Sequence, residues 1–146
     1  MHLYELKKGD IFIFHGNDEA PSKVLSAERY FTEGGRHSHY SVKIVCIDLL
    51  DGGQYEYCFQ DKDYHHDQIF TFYPKESIIE ASFLGCNADE KDDEFAYAQF
   101  LDLHTYETRD VGLRDINYDI EIEEGKVYKL HFIDKYLVSA IPCEPA

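Results

Sequence analysis

An arginine and two histidines stand together in the stretch EGGRHSHYSV, residues 33–42. The pair Gly34-Gly35 comes just before Arg36, and glycine permits the positive φ angles of a tight, adaptable turn. A guanidinium on such a turn can bind a phosphate with two hydrogen bonds or stack on a base. His37 and His39 could add hydrogen bonds or stacking to unpaired nucleotides. The stretch is therefore a candidate nucleic-acid-binding loop, and a plain hairpin loop with a solvated arginine is the alternative.

Metal binding is a second chemistry open to the two histidines. In an extended chain His37 and His39 point to the same side, and a His-x-His pair begins the metal site of β-barrel oxygenases of the cupin type. Such a site needs further ligands, yet residues 40–45 offer only a lysine, and His65-His66 are adjacent rather than alternating. A metal-dependent β-barrel enzyme is thus an alternative, and no metal or cofactor is predicted.

Known catalytic motifs do not favour an enzyme either. The sequence has no G-x-S-x-G, no Walker-type phosphate loop and no H-E-x-x-H. Its four cysteines are widely spaced, which predicts reduced thiols rather than a disulfide framework or a zinc ribbon. Cys46 falls within an apolar run and is interpreted as an inert core thiol. The residues therefore do not favour hydrolytic chemistry.

Charge limits the partners of the chain. It carries 14 Lys and Arg against 29 Asp and Glu, a formal net charge of −15, which argues against DNA, a general nucleic-acid coat or an anionic membrane as partner. The excess of acidic residues is uneven along the chain. Residues 1–79 hold 8 basic and 13 acidic side chains, and residues 80–146 hold 6 basic and 16 acidic ones. With no apolar run of membrane-spanning length and no secretory signal, a cytoplasmic protein is predicted.

Short apolar runs broken by Gly, Asp and Pro predict an all-β chain. In the first part the predicted strands are residues 10–15, 23–31, 40–47, 54–59 and 69–73. Asp51-Gly52-Gly53 is typical of a tight hairpin turn. Five short strands in about seventy residues indicate a small closed barrel.

A second β unit follows a boundary near Pro74. Its predicted strands are residues 77–84, 95–103, a hairpin-like segment through 109, and the hairpin 126–133 and 136–141. The acidic run 88–94 is predicted to be a loop inside this unit. Residues 115–124 fit either a short helix or a strand. The predicted domains are 1–76, with the tip loop at 33–41, and 77–146, a barrel of the length of an oligonucleotide-binding (OB) fold.

One long stretch carries a family resemblance. Residues 34–57, GGRHSHYSVKIVCIDLLDGGQYEY, resemble the translation factor 5A family of eukaryotes and archaea, whose loop reads T-G-K-H-G-H-A-K-V before a strand ending I-V-G-I-D. Residues 6–14, LKKGDIFIF, are similar to the opening L-K-x-G-D strand, and residues 107–113, ETRDVGL, to G-E-T-R-E-D-L. The matching positions of the central stretch are Gly35, His37, His39, Val42, Ile44, Val45, Ile47, Asp48, Tyr55 and Glu56.

The resemblance implies an SH3-like barrel followed by an OB-fold. It also implies a non-enzymatic factor that binds the large ribosomal subunit beside peptidyl-tRNA. The loop tip would position the tRNA acceptor end, so that slow peptide bonds form. The residues that it assigns to this contact are Gly34, Gly35, Arg36, His37, Ser38 and His39.

The chain departs from the family at the tip itself. Arg36 stands where the family has the lysine that is converted to hypusine, and Ser38, Tyr40 and Ser41 also differ from the family loop. A guanidinium stays protonated and is a poor nucleophile, so that modification is not expected. Arg36 then acts unmodified, or carries another modification such as a glycosyl group. In the third alternative the chain is a paralogue that binds RNA, ribosomes or protein without stimulating translation.

Overall fold

The computed structural model describes residues 5–15, 19–32, 39–60, 70–87 and 95–143, and in these ranges the chain is built from β-strands. Every strand pairs antiparallel with its neighbours, so the predicted all-β class is confirmed. The strands are β1 (Ile11–Phe14), β2 (Pro21–Thr32), β3 (His39–Asp48), β4 (Gln54–Gln60), β5 (Phe70–Phe72), β6 (Glu76–Cys86), β7 (Tyr97–Asp102), β8 (Thr108–Gly112), β9 (Val127–Ile133) and β10 (Tyr136–Pro142).

The chain divides into two compact units, Met1–Pro74 and Lys75–Ala146. Each unit contains one five-stranded sheet. The strand order is β4-β3-β2-β1-β5 in the first unit and β10-β9-β6-β7-β8 in the second.

Alternation along the strands builds the core of the first unit. Val42, Ile44 and Cys46 of β3 are fully buried, whereas the residues between them are only partly covered, as the period of two requires. They pack with Leu6, Phe12, Val24 and Phe70. The pairing of β2 with β3 shifts between Val24 and Ser26, so β2 contains one bulged residue.

The predicted hairpin turn between β3 and β4 is confirmed. The Asp48 carboxylate accepts hydrogen bonds from the backbone N–H of Leu50 (2.7 Å) and Asp51 (3.1 Å). Gly52 has a φ of 76°, which a side chain would disfavour. The turn therefore needs both the Asp48 carboxylate and the glycine at position 52.

Aromatic rings join the two edge strands of the first sheet. Phe59 of β4 meets Phe70 of β5 edge to face, with ring centroids 5.1 Å apart. Phe14 of β1 stacks on Phe70 at 4.9 Å and lies 5.7 Å from Tyr57 of β4. The sheet therefore curls until its ends meet through side chains.

The second sheet has an aliphatic and aromatic core of the same kind. Its buried residues are Ala81, Phe83, Ala96, Ala98, Phe100, Val111, Leu113, Ile116, Tyr128, Leu130, Phe132 and Leu137. Strands β6 and β7, which flank residues 88–94, pair in this sheet. The interpretation that these strands belong to one sheet is therefore confirmed, and residues 88–94 themselves lie outside the described part.

Residues 115–124 are neither the helix nor the strand that their isoleucines allowed. A short 3-10 helix, Leu113–Asp115, leads to Ile116, which forms an isolated parallel bridge with Leu137 of β10. The Asn117 amide then donates to the Val138 carbonyl (3.1 Å), and its side-chain oxygen accepts the Asp119 N–H (2.9 Å). Because of these hydrogen bonds, no helix forms here and the β-pairing ends after the single bridge at Ile116. Ile120 and Ile122 still pack on the core.

Candidate functional site

The predicted loop lies at the end of the hairpin formed by β2 and β3. Gly34, Gly35, Arg36, His37 and Ser38 are outside the described residues. His39 is the first residue of β3, and its backbone pairs with Thr32, the last residue of β2. Of His39 only this backbone pairing is described. The structure thus describes the support of the predicted site, and the site residues themselves stay a prediction.

The supporting hairpin is the longest in the described chain. Strand β2 has 12 residues and β3 has 10. The described pairing of β3 with β4 reaches only as far as Ser41, opposite Gln60. The pairs Phe31–Tyr40 and Thr32–His39 continue beyond that point. The described arms of the β2–β3 hairpin therefore continue for two pairs past the last described pair of β3 with β4.

A partly buried hydrogen bond from an exposed arginine fixes the middle of this hairpin. The Arg29 guanidinium donates from Nη2 to the Leu6 carbonyl, at 2.9 Å, and so ties β2 to the segment before β1. Sequence reasoning did not identify Arg29, because a bond between residues 23 positions apart leaves no local pattern. Arg29 is a supporting residue, and its cation is engaged within the protein.

Lys43 on β3 is also engaged. Its Nζ lies 3.2 Å from Glu56 Oε1 on the adjacent strand β4, and the hydrogen bond and charge of Glu56 raise the pKa of Lys43. Both side chains are substantially exposed, so the pair adds little stability. It does keep this ammonium neutralised on the outer face of the hairpin.

Cys46 is the inert thiol that the sequence predicted. It is fully buried, and burial raises its pKa to about 11. A thiol with such a pKa has almost no thiolate at neutral pH and is a poor nucleophile. Cys58 and Cys86 are exposed, and none of the four cysteines forms a disulfide.

The described residues show no arrangement that would support the metal-site alternative. In the described ranges no three His, Cys, Asp or Glu side chains come together as a metal site would require. Of the pair on which the metal hypothesis rests, His37 lies outside the described residues and His39 is described by its backbone alone. No helix in the described part of the chain is long and apolar enough to cross a membrane.

Comparison with known proteins places the fold. No family model and no curated protein matches the sequence. A solved structure of a eukaryotic translation initiation factor 5A from Methanococcus jannaschii is similar over 97% of this chain and 92% of that chain, with a TM-score of 0.51 and 16% identity. A solved structure of a translation initiation factor eIF-5A family protein from Naegleria fowleri is similar over 97% of this chain and 96% of that chain, with a TM-score of 0.49 and 19% identity. The fold that the resemblance of residues 34–57 implied is therefore confirmed: this chain has the two-unit β fold of translation factor 5A.

Proposed function

We propose that this protein is a translation factor of the 5A type, which binds the ribosome beside peptidyl-tRNA and promotes slow peptide-bond formation. The observation that carries the proposal is the likeness of the whole chain, across both units, to a solved factor 5A. A likeness confined to one small β-barrel would carry much less, because such barrels serve many functions. The motifs of residues 6–14 and 34–57 add an independent reason from the sequence.

The hairpin β2–β3 supports a role for the loop in positioning. Its arms are fixed by the β ladder and by the Arg29 contact, and they continue past the last described pair with β4. In the proposal this hairpin delivers residues 33–38 to the acceptor end of peptidyl-tRNA. The factor lowers the entropic cost of orienting the tRNA, and the ribosome supplies the chemistry. The protein is then not an enzyme, needs no cofactor and acts in the cytoplasm.

Arg36 is the proposed contact residue of the tip. Arg29 donates to the Leu6 carbonyl and Lys43 is paired with Glu56, so we propose Arg36 as the cation of this hairpin that contacts the tRNA backbone. Its planar cation can take two phosphate oxygens at once. His37 and His39 are proposed to stack on, or hydrogen-bond to, the terminal nucleotides. The guanidinium works unmodified and with a shorter reach than hypusine.

The charge distribution along the chain favours a tRNA contact through the first domain. The predicted SH3-like domain, residues 1–76, contains the loop and belongs to the less acidic half of the chain, whereas the predicted OB-fold domain, residues 77–146, belongs to the half with 16 acidic and 6 basic residues. Phosphate repels the second domain more strongly. We therefore assign the tRNA contact to the first domain.

Ribosome cosedimentation tests the contact directly. We expect the protein to sediment with ribosomes that carry peptidyl-tRNA. Arg36→Ala should weaken this binding about tenfold, since a charge-assisted hydrogen bond to phosphate is lost. Arg114→Ala is the matched control, because it removes an arginine from the second domain. The proposal would be contradicted if the protein did not bind ribosomes. It would also be contradicted if neither Arg36→Ala nor replacement of residues 33–38 with six Gly and Ser residues changed the binding.

A polyproline synthesis assay separates a working factor from a silent binding module. We expect the purified protein to accelerate synthesis of a triproline reporter in a reconstituted translation system, and Arg36→Ala to abolish most of that acceleration. Ribosome binding without acceleration would instead favour the paralogue without translation activity. Intact-mass spectrometry of protein from its native host is run alongside, and we expect the unmodified mass of the chain.

A further inference from the structure

Three side chains of the first unit form a connected set at one end of β1. His15 follows the last residue of β1, and its Nδ1 lies 2.8 Å from a carboxylate oxygen of Glu19. Its Nε2 lies 2.5 Å from the hydroxyl oxygen of Thr71 on β5. A carboxylate, an imidazole and a hydroxyl are therefore joined in series, and we call these three residues the Thr71 triad.

The pairing of β1 with β5 brings Thr71 to this place. Ile13 is directly opposite Thr71 in the antiparallel register, so the two side chains lie on the same face of the sheet. His15 comes two residues after Ile13, shares that face and reaches Thr71 diagonally. Sequence reasoning did not identify this set, because His15 and Thr71 are 56 positions apart and a triad is recognised by its geometry rather than by spacing.

The Glu19 carboxylate decides which nitrogen of the neutral His15 ring carries the proton. A carboxylate only accepts hydrogen bonds, so Nδ1 is protonated and donates to Glu19. Nε2 then keeps its lone pair and accepts the Thr71 O–H. A threonine hydroxyl is a weak nucleophile by itself, and an adjacent base that is oriented by a third group activates it. The Thr71 triad has this arrangement.

Small molecules can reach the Thr71 triad. The side chains of His15 and Glu19 are 32% and 40% exposed. Thr71 is half-buried, on a strand of three residues at the edge of the first sheet. Its backbone is fixed by the pairing with β1, so the hydroxyl is held in place while solvent has access to the imidazole.

The charge of the third group favours an acyl donor over a phosphoryl donor. Phosphoryl transfer needs cations that neutralise the charge on the phosphate oxygens, whereas Glu19 places an anion beside the base. The carbonyl group of a thioester carries no net charge, so the carboxylate does not repel it.

We propose that Thr71 is a modification site that accepts an acyl group from a thioester. Thr71 Oγ attacks the thioester carbonyl carbon while His15 Nε2 takes the hydroxyl proton. A C–O bond forms, the C–S bond breaks, and the thiol leaves with the proton from His15. Each chain reacts once, and the site does not depend on the proposed role in translation.

The test treats the full-length protein with S-phenyl thioacetate at neutral pH and locates the acetyl groups by peptide mass spectrometry. The rate of O-acetylation at Thr71 is compared, in the same sample, with the rate at Thr108, an exposed threonine on β8. We expect Thr71 to react faster although it is the less exposed of the two. We expect His15→Gln to slow the reaction of Thr71 about 100-fold, as loss of a general base should, and to leave Thr108 unchanged.

Glu19→Gln separates activation of the hydroxyl from a merely structural contact. The glutamine amide can donate to Nδ1, which moves the ring proton to Nε2 and removes the base from Thr71. We expect the acetylation rate of Thr71 to fall while the urea midpoint of unfolding stays that of the parent. In Thr71→Ser, which keeps a hydroxyl, residue 71 should still be acetylated.

His131→Gln is the matched control. His131 lies in the second unit, is also 32% exposed and also contacts a glutamate, with Nε2 3.1 Å from Glu76 Oε1, but the described part of the chain gives it no hydroxyl partner. We expect this variant to be acetylated at Thr71 as fast as the parent. Equal rates at Thr71 and Thr108 in the parent would overturn the proposal. A Thr71 rate that neither His15→Gln nor Glu19→Gln lowers would overturn it as well.

Discussion

The two sheets of this protein have the same number of strands but join their ends by different means. In the first sheet the edge strands β4 and β5 meet through aromatic rings, with Phe59 and Phe70 in edge-to-face contact. In the second sheet the chain leaving β8 turns back to β10, where Ile116 pairs with Leu137 and Asn117 bonds to the next carbonyl. The first join is made by packed rings, and the second, called the polar join below, by hydrogen bonds of the backbone and of one amide beside the buried Ile116 and Leu137.

Because the two joins differ, the two units should be sensitive to different substitutions. Ring packing depends on volume and shape, so loss of a ring leaves a cavity that its neighbours fill only partly. The polar join depends on single donors and acceptors, whose loss leaves a buried group without its partner. The first unit should therefore be sensitive to truncation of aromatic residues, and the second to loss of one amide. The aromatic join stabilises the sheet that contains the β2–β3 hairpin.

The largest effect is expected at Phe70. Its ring is 3% exposed and lies within 6.1 Å, centroid to centroid, of the rings of Phe12, Phe14, Phe59 and Phe72. We expect Phe70→Ala to lower the free energy of unfolding by about 3–5 kcal/mol, measured by urea denaturation. Hydrogen exchange should accelerate most in β4 and β5.

Phe95→Ala is the control for this variant, because Phe95 is 76% exposed. We expect it to change the free energy of unfolding by less than about 0.5 kcal/mol. If Phe70→Ala cost no more than Phe95→Ala, the aromatic join would not be what stabilises the first sheet.

A smaller effect is expected at Asn117. Its amide donates to Val138 in a partly buried position, and its side-chain oxygen accepts from Asp119 in an exposed one. We expect Asn117→Ala to cost about 1–3 kcal/mol of unfolding free energy, since the Val138 carbonyl loses its donor in a partly buried position. Circular dichroism during urea denaturation measures this, and exchange should accelerate in β10.

Asn87→Ala provides the comparison. Asn87 makes the same two kinds of bond, to the Phe95 carbonyl (3.2 Å) and from the Tyr97 N–H (2.6 Å), but in an exposed position. Water can replace these partners, so a loss below about 1 kcal/mol is expected. Equal costs for the two variants would show that burial does not set the strength of the polar join.

The sequence predicted most strands because alternation is a local property. Residues 40–47 were predicted to be a strand, and β3 is His39–Asp48. The segment 115–124 was missed because Ile116, Ile120 and Ile122 satisfy both periods, and its conformation is decided by a carbonyl 21 residues away. The Arg29 contact was missed for the same reason. The candidate loop was identified from residue types alone, and its residues 33–38 stay a prediction.

The smallest effects are expected at two hairpin turns, which should respond to opposite ends of the pH scale. In the first unit the Tyr55 hydroxyl donates to Asp51 at 2.6 Å, and this hydrogen bond raises the pKa of Tyr55 to about 12. In the second unit the backbone N–H groups of His104 and Thr105 lower the pKa of Asp102 below its ordinary value. Both side chains are solvent-accessible, so salt and water weaken both effects.

The sign of each pH dependence follows from linkage. Because the folded pKa of Asp102 is lowered, its contribution is fully present above about pH 4, the ordinary value of an aspartate. It is lost as the pH falls through the folded pKa. We therefore expect Asp102→Asn to be less stable than the parent at neutral pH, by less than Asn117→Ala, with the difference vanishing in acid. Urea midpoints from neutral pH downward measure it.

Tyr55→Phe should show the reverse dependence. The raised pKa of Tyr55 means that its contribution is complete below about pH 10 and disappears as the pH rises through about 12. The difference between parent and Tyr55→Phe should thus be constant from neutral pH up to about pH 10 and fall only above it, whereas that of Asp102→Asn changes only in acid. If both variants lost their difference from the parent over the same pH range, the two turns would not be stabilised by the separate hydrogen bonds of Asp102 and Tyr55.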